Sequence, residues 1–282
     1  MTRASAIAGD TVRDRYQLLL AEGAASDADL ILSELGRAGL DVEVQKVATA
    51  LDLDKALAAK PWDFIIFAEH IPELDWATAL GLCKQKGLDI PFIMLSGVPD
   101  ADPGVDRIKA GVHEHLLKHN LVHLPQIVRR ELRAVRERWI RKETETAARL
   151  LNSNSGGRQS GVIGLDSDGI IVSWNSGAER LYGYSASEMI GRSVSVGPLG
   201  EVFTKVHTLK KGQCAETKVA IRKDASFVNV QIVCCLIEDP VGRIIGSSIL
   251  VWDVAESEAW SQAFLASLRE SVLARGATRA EQ

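Results

Sequence analysis

The sequence predicts two joined fold classes: an α/β unit on a doubly wound, five-stranded parallel sheet, then, beyond a long linker helix, an α+β unit on a five-stranded antiparallel sheet with flanking helices. Three observations predict it. Through the first half, short apolar runs alternate with segments of helical period, the pattern of βαβ units. Two of those runs, Phe64-Ile65-Ile66-Phe67 and Pro91-Phe92-Ile93-Met94-Leu95, are apolar throughout, as inner strands covered on both faces must be. In the second half the strands come as adjacent pairs split by turn residues, which suits an antiparallel sheet.

Taken in order, Tyr16 to Leu20 forms the first strand and Ala28 to Gly39 the first helix, with Leu30, Ile31 and Leu35 at helical spacing and Gly39 at its stop. Val42 to Val47 is the second strand, Leu53 to Ala59 the second helix, and the two apolar runs are the third and fourth strands. Ala110-Gly111-Val112 with His115-Leu116-Leu117 supplies the fifth, and Leu121 to Arg138 a closing helix. From Glu131 to Leu151 charges alternate with Leu132, Val135, Trp139, Ala147 and Leu150, so one amphipathic helix connects the units and offers its stripe to a second copy or to its own unit. Asn152 to Gly157 breaks it.

Val162 to Leu165 and Ile170 to Trp174 then make a hairpin around Asp166-Ser167-Asp168-Gly169. Asn175 caps a helix reaching Gly183, a further helix spans Glu201 to Lys211, and strands over Glu216 to Arg222, Ser226 to Ile237 and Ile244 to Val251 complete the sheet. The expected boundaries are a flexible terminus over 1–13, the first unit over 14–137, a helical linker over 138–158, the second unit over 159–256, and an amphipathic helix over 257–282 carrying Trp260, Phe264, Leu265 and Leu268.

Composition narrows the partners. The 282 residues are 46% hydrophobic and 25% charged, enough for two cores, and a formal net charge of -4 leaves no basic excess to hold a phosphate backbone, so nucleic acid is not an expected partner. No apolar run approaches the roughly 20 residues needed to cross a bilayer, so no membrane association is expected. The 4 Cys lack CxxC spacing, which points to a reduced, cytoplasmic setting.

At the strand ends, Leu19-Leu20-Ala21-Glu22, Ile71-Pro72, Met94-Leu95-Ser96 and Gly111 with Leu117-Lys118 make the first half resemble a response-regulator receiver domain. The resemblance implies an acidic pair after the first strand and an aspartate after the third, which together hold magnesium, the aspartate accepting a phosphoryl group. Ala68 stands at the acceptor position, and Gly23, after Glu22, at that of the second acid. Magnesium needs hard oxygen ligands in near-octahedral array, and a methyl offers neither ligand nor nucleophile. Ser96 and Lys118 keep the positions that would steady phosphoryl oxygens; without an attacking carboxylate, Lys118 is expected as a cation paired with Glu22. Glu69, next along the strand, is expected to point away from the crevice. His70, His113, His115, His119 and His123 invite a metal reading, but no acid or cysteine completes a tetrahedral set, so no metal is expected.

The run from Gly164 to Tyr184, containing Asp166, Gly169, Trp174, Asn175, Glu179 and Tyr184, together with Glu188-Met189-Ile190-Gly191-Arg192 and the exit Asp253-Val254-Ala255-Glu256, makes residues 159–256 resemble a PAS domain. That family senses small ligands or mediates dimerisation and docking. Lys223-Asp224-Ala225 departs from it where glycine usually stands third, which predicts a looser loop. The flavin photosensor cysteine segment has no counterpart, and His207 lies too close to Gly212 for the haem ligand, so no cofactor is expected; Trp174 reads as core. All 6 His lie at or before His207, so the helix after Asp253 carries no phosphorylatable histidine, and no P-loop or Gly-rich kinase loop occurs.

The expectation is a non-catalytic signal-transduction protein of the two-component kind. A degenerate receiver is coupled to a PAS domain and acts by docking: as a homodimer through the linker and C-terminal helices, and with a histidine kinase or other signalling protein. The other reading is a sensory input piece of a histidine kinase, or its partner in trans, with a small apolar ligand in the second unit. No enzyme is expected, since no nucleophile with base and orienting group assembles in the first crevice.

Overall fold

The computed structural model describes residues 15–97, 105–154, 160–196, 214–239 and 242–256, and the chain divides into two units, Met1–Val135 and Arg136–Gln282. The expected N-terminal segment, the helix over 201–211, His207 and the C-terminal helix lie outside the described residues.

In the first unit, strands β1 (Tyr16–Ala21), β2 (Val42–Lys46), β3 (Phe64–Ala68), β4 (Phe92–Ser96) and β5 (Glu114–Leu117) pair in parallel in the order β2-β1-β3-β4-β5. Helices α1 (Ala25–Arg37), α2 (Ala50–Ala59), α3 (Trp76–Gln85), α4 (Val105–Ala110) and the first half of α5 (Leu124–Asn154) connect them or close the unit. Alternate strand residues serve two cores, which is why β3 is apolar throughout and β4 as far as Leu95. Leu18, Phe64, Ile66, Ile93 and Leu95 pack with Ile31 and Leu35 of α1 and with Leu124, Val128 and Leu132 of α5. Leu19, Ile65, Phe67 and Met94 pack with Leu53 of α2 and with Leu80 and Cys83 of α3.

The expected fifth strand is corrected: Ala110 ends α4, Gly111 takes φ 109, and pairing begins at Glu114. A positive φ cannot continue a pleated strand, so the chain turns there instead. The helices α3 and α4 were not predicted, and Leu30, expected on the apolar stripe of α1, is 56% exposed.

The second unit carries β6 (Gly161–Asp166), β7 (Ile171–Trp174), β8 (Cys214–Ile221), β9 (Phe227–Glu238) and β10 (Ile244–Asp253), antiparallel in the order β7-β6-β10-β9-β8. Its inner face packs Ile163, Val230, Ile232, Cys234, Ile249 and Val251 against Tyr182 of α6 (Ser176–Tyr182) and Met189 of α7 (Ala186–Met189). The opposite face receives the second half of α5. Ile140 packs on Val172, Ile237 and Ile245, and Leu151 on Val162, Val233, Leu250 and Trp252.

Two glycines make room for Ile140: a Cβ on Gly164 would lie 2.9 Å from its Cγ2, and one on Gly246 2.7 Å from its Cδ1. The buried stripe of this half is therefore Ile140, Thr144 and Leu151, whereas Leu150, expected on it, is 58% exposed. The sheet, absent from any single-helix reading, selects the face.

The β8–β9 turn overturns the expected looser loop. Arg222 N donates to Ser226 O at 2.8 Å, Asp224 Oδ1 accepts from Ser226 N at 2.9 Å, and Ala225 is held at φ 65. The two long strands impose the tight turn. Replacing Ala225 with glycine should relieve about 1–2 kcal/mol of left-handed strain against an entropic cost of about 0.5–1 kcal/mol, a net gain near 0.5–1 kcal/mol. Thermal unfolding should show a rise of a few degrees; an unchanged or lower midpoint would mean the turn carries no strain.

Among the described residues no helix is long and apolar enough to cross a membrane.

Candidate functional site

The strand order of the first unit reverses direction between β1 and β3, and at such a switch point a crevice opens beyond the carboxyl ends of the strands. Glu22 follows β1, Ala68 ends β3, Ser96 ends β4 and Lys118 follows β5, so the sequence-predicted residues stand at one end of the sheet. Ala68 and Ser96 are buried, and Gly23 is exposed with open space where a Cβ would stand.

The Lys118 ammonium lies 2.7 Å from Glu22 Oε2 and 2.6 Å from Asp27 Oδ2, with the Glu22 side chain only 4% exposed. Glu22 Oε1 accepts from Ala24 N at 3.0 Å, which ties the carboxylate to the loop after β1. Burial pulls the Lys118 pKa down, but the hydrogen bonds to Asp27 and Glu22 outweigh it and leave the pKa raised. Asp27 was missed in the sequence; its only local signal is an acid in the first turn of α1, where the helix dipole favours one.

Glu69 is tied instead to Arg107 of α4, whose Nη1 lies 3.4 Å from His115 Nε2. His113 Nδ1 accepts from Phe92 N at 3.1 Å. Among the described residues no three His, Cys, Asp or Glu side chains converge as a metal site. Both carboxylates near Lys118 are already engaged by its ammonium, and Ala68 contributes a methyl, so this donor set does not fit the divalent ion of a phosphorylatable receiver.

The signature residues of the second unit tie the fold together. Asp166 Oδ1 accepts from Asp168 N at 2.9 Å and Ile170 N at 2.8 Å, and Gly169 completes the turn at φ 77. Asn175 Oδ1 accepts from Val162 N at 2.8 Å and Ala178 N at 2.9 Å while its Nδ2 donates to Ser160 O at 3.0 Å, so one side chain caps α6 and anchors β6. Trp174 is buried, donates to Tyr184 O at 3.0 Å and lies 5.7 Å from the Tyr182 ring. Glu179 Oε1 accepts from Ala186 N at 2.7 Å. Gly191, at φ 85, donates to Ile171 O at 2.8 Å. Asp253 Oδ1 accepts from Ala255 N at 2.9 Å, inside the exit turn that Glu256 ends. These bonds are turns, caps and braces; none places a nucleophile beside a base.

Residues 149–254 match the family model described as PAS fold. The first unit is similar to the receiver domain of a Francisella response regulator, 19% identical over 43% of this chain and 98% of that one, with a TM-score of 0.38. It is also similar to the receiver domain of a sensor histidine kinase from Pseudomonas aeruginosa, which holds magnesium in its active-site cleft, 22% identical over 42% of this chain and 98% of that one, with a TM-score of 0.36. The second unit is similar to a PAS domain from Colwellia psychrerythraea, 20% identical over 39% of this chain and 95% of that one, with a TM-score of 0.33. No curated protein matches the chain. The family match thus places a PAS fold within the second unit, which α5 joins to the parallel sheet of the first.

Proposed function

We propose that this chain is a non-catalytic signal-transduction protein in which a degenerate receiver is coupled to a PAS sensing and dimerisation domain, and that it acts by docking to a histidine kinase or other signalling protein and to a second copy of itself. The observation that carries the reading is Lys118 clasped by Glu22 and Asp27 at the end of the sheet where β3 closes on Ala68. A phosphoryl donor entering this crevice meets two carboxylates that repel it, no attacking oxygen, and a lysine already engaged. A receiver of this kind transmits through the surfaces it presents. Incubation with magnesium and radiolabelled acetyl phosphate is expected to leave the chain unlabelled while a phosphorylatable receiver takes label. Hydroxylamine-labile label on the first unit at near-stoichiometric level would overturn the proposal.

One observation favours a second reading, a PAS domain that binds a small apolar ligand and informs a kinase in trans. Tyr182 is fully buried, and its hydroxyl has no hydrogen-bond partner among the described residues. Burial, with a smaller contribution from Cys234, pushes its pKa above the usual phenol range. An orphan hydroxyl costs about 1–3 kcal/mol, which a single acceptor atom on an otherwise apolar ligand would recover. A co-purifying mass in native mass spectrometry, with ligand-dependent stimulation of a kinase, is the result expected on this reading; a bare chain without effect on the kinase removes it.

A further inference from the structure

The two edges of the antiparallel sheet differ. The outer edge of β7 is occupied by returning backbone: Ile171 N donates to Arg192 O at 2.9 Å, and Gly191 N to Ile171 O at 2.8 Å. Strand β8, at the other end of the strand order, has β9 on one side and, among the described residues, no strand on the other. An open edge of this kind is a template for a further strand. Large apolar side chains stand exposed beside it, Val219 at 60%, Ile221 at 54% and Phe227 at 72%. The ladder fixes which backbone groups face that edge. Arg222 N donates to Ser226 O at 2.8 Å, so every second pair beyond it, Ala220/Val228, Lys218/Val230 and Glu216/Ile232, is of the hydrogen-bonded kind. The N–H and C=O groups of Ala215, Thr217 and Val219 therefore point away from β9, and all three residues are exposed.

We propose that β8 pairs antiparallel with β8 of a second copy of this chain, about a two-fold axis through Thr217. Two-fold pairing is self-complementary, and keeping the buried face of both sheets on one side requires the axis to pass through a residue. The charges choose which. An axis through Glu216 or Lys218 sets like charges opposite each other, and one through Ala215 or Val219 overlaps less of the strand. An axis through Thr217 sets Glu216 opposite Lys218 of the second copy, and Lys218 opposite its Glu216. These fall in non-hydrogen-bonded pairs, where side chains approach closest. Thr217 then faces Thr217, and Ala215 faces Val219, in hydrogen-bonded pairs that use the outward backbone groups. Val219 gains an apolar cross-strand neighbour on the exposed face. The inference rests on the second-copy docking proposed above and names the surface for it.

Sedimentation of the full chain over a concentration series is expected to show a dimer. Amide hydrogen exchange read by NMR should show Ala215, Thr217 and Val219 slowing as concentration rises, while Lys218, bonded to β9, is slow throughout. Lys218→Glu should raise the dimer dissociation constant about tenfold, because two attractive cross-strand pairs become repulsive. Adding Glu216→Lys to it should restore the dimer, since the same pairs re-form with their signs exchanged. Thr217→Pro removes a central outward donor, which an edge strand tolerates, and should abolish the pairing with circular dichroism unchanged. A dimer indifferent to these changes, with outward amides that do not respond to concentration, would overturn the β8 surface alone and leave docking through another surface standing. A chain monomeric at every concentration would overturn both. Outward amides already slow in the monomer would mean that another segment of the chain covers the edge, which also overturns the proposal.

Discussion

Replacing Ile140 with alanine is expected to cost about 3–4 kcal/mol, concentrated in the second unit. Ile140 is fully buried between Val172, Ile237 and Ile245, in a seat that Gly164 and Gly246 leave open. Removing its outer atoms loses their transfer energy and leaves a cavity the glycines cannot fill. Ile140→Val, one methylene smaller, should cost about 1 kcal/mol, which sets the scale. The complementary change is equally informative: alanine at Gly246 would place its Cβ 2.2 Å from Leu165 O, a clash with backbone that no side-chain rotation relieves. Hydrogen exchange, which resolves the two units separately, should show faster exchange in β6 and β10 and in the second half of α5, with the first unit unchanged. Full protection of α5 in the alanine variant would mean that Ile140 does not seat the helix.

Lys118→Met should destabilise the first unit by about 2–3 kcal/mol at neutral pH, because it leaves the nearly buried Glu22 carboxylate without its cation. The lower end is favoured, since Asp27 remains 32% exposed and its interaction is partly screened by water. The pH dependence gives the change its signature. In the parent, the raised Lys118 pKa contributes stability that is complete below the ordinary lysine pKa and is lost only as alkaline pH passes the folded value. The variant has no ammonium to lose, so the deficit should shrink as pH rises through the folded lysine value. Urea unfolding of both proteins across this range would show convergence at alkaline pH; a deficit that is absent, or constant with pH, would mean the ammonium does not compensate a buried charge.

How much of this was legible follows residue by residue. The inner strands β3 and β4 announced themselves because every position is buried, and the Asn175 cap because its bond to Ala178 N is local. The helix α3 was there to be read in Asp75, which caps it by accepting from Thr78 N at 2.8 Å, but its apolar stripe is short. The helix α4 has six residues, too few to show a period, and its Ile108 is 51% exposed. The tight turn at Ala225 ran against local preference because the β8–β9 ladder outweighs one residue's dihedral cost.

The sequence by itself determined which chemical groups are available: no carboxylate can stand at Ala68 or Gly23, whatever the fold, because side-chain identity is covalent. Only the tertiary structure decided what the remaining groups do. Asp27 and Lys118 meet across 91 residues, and Ile140 finds its glycine seat. Such pairings are set by strand order, register and packing, which depend on the summed burial of many distant residues and leave no mark in the local pattern around any one of them.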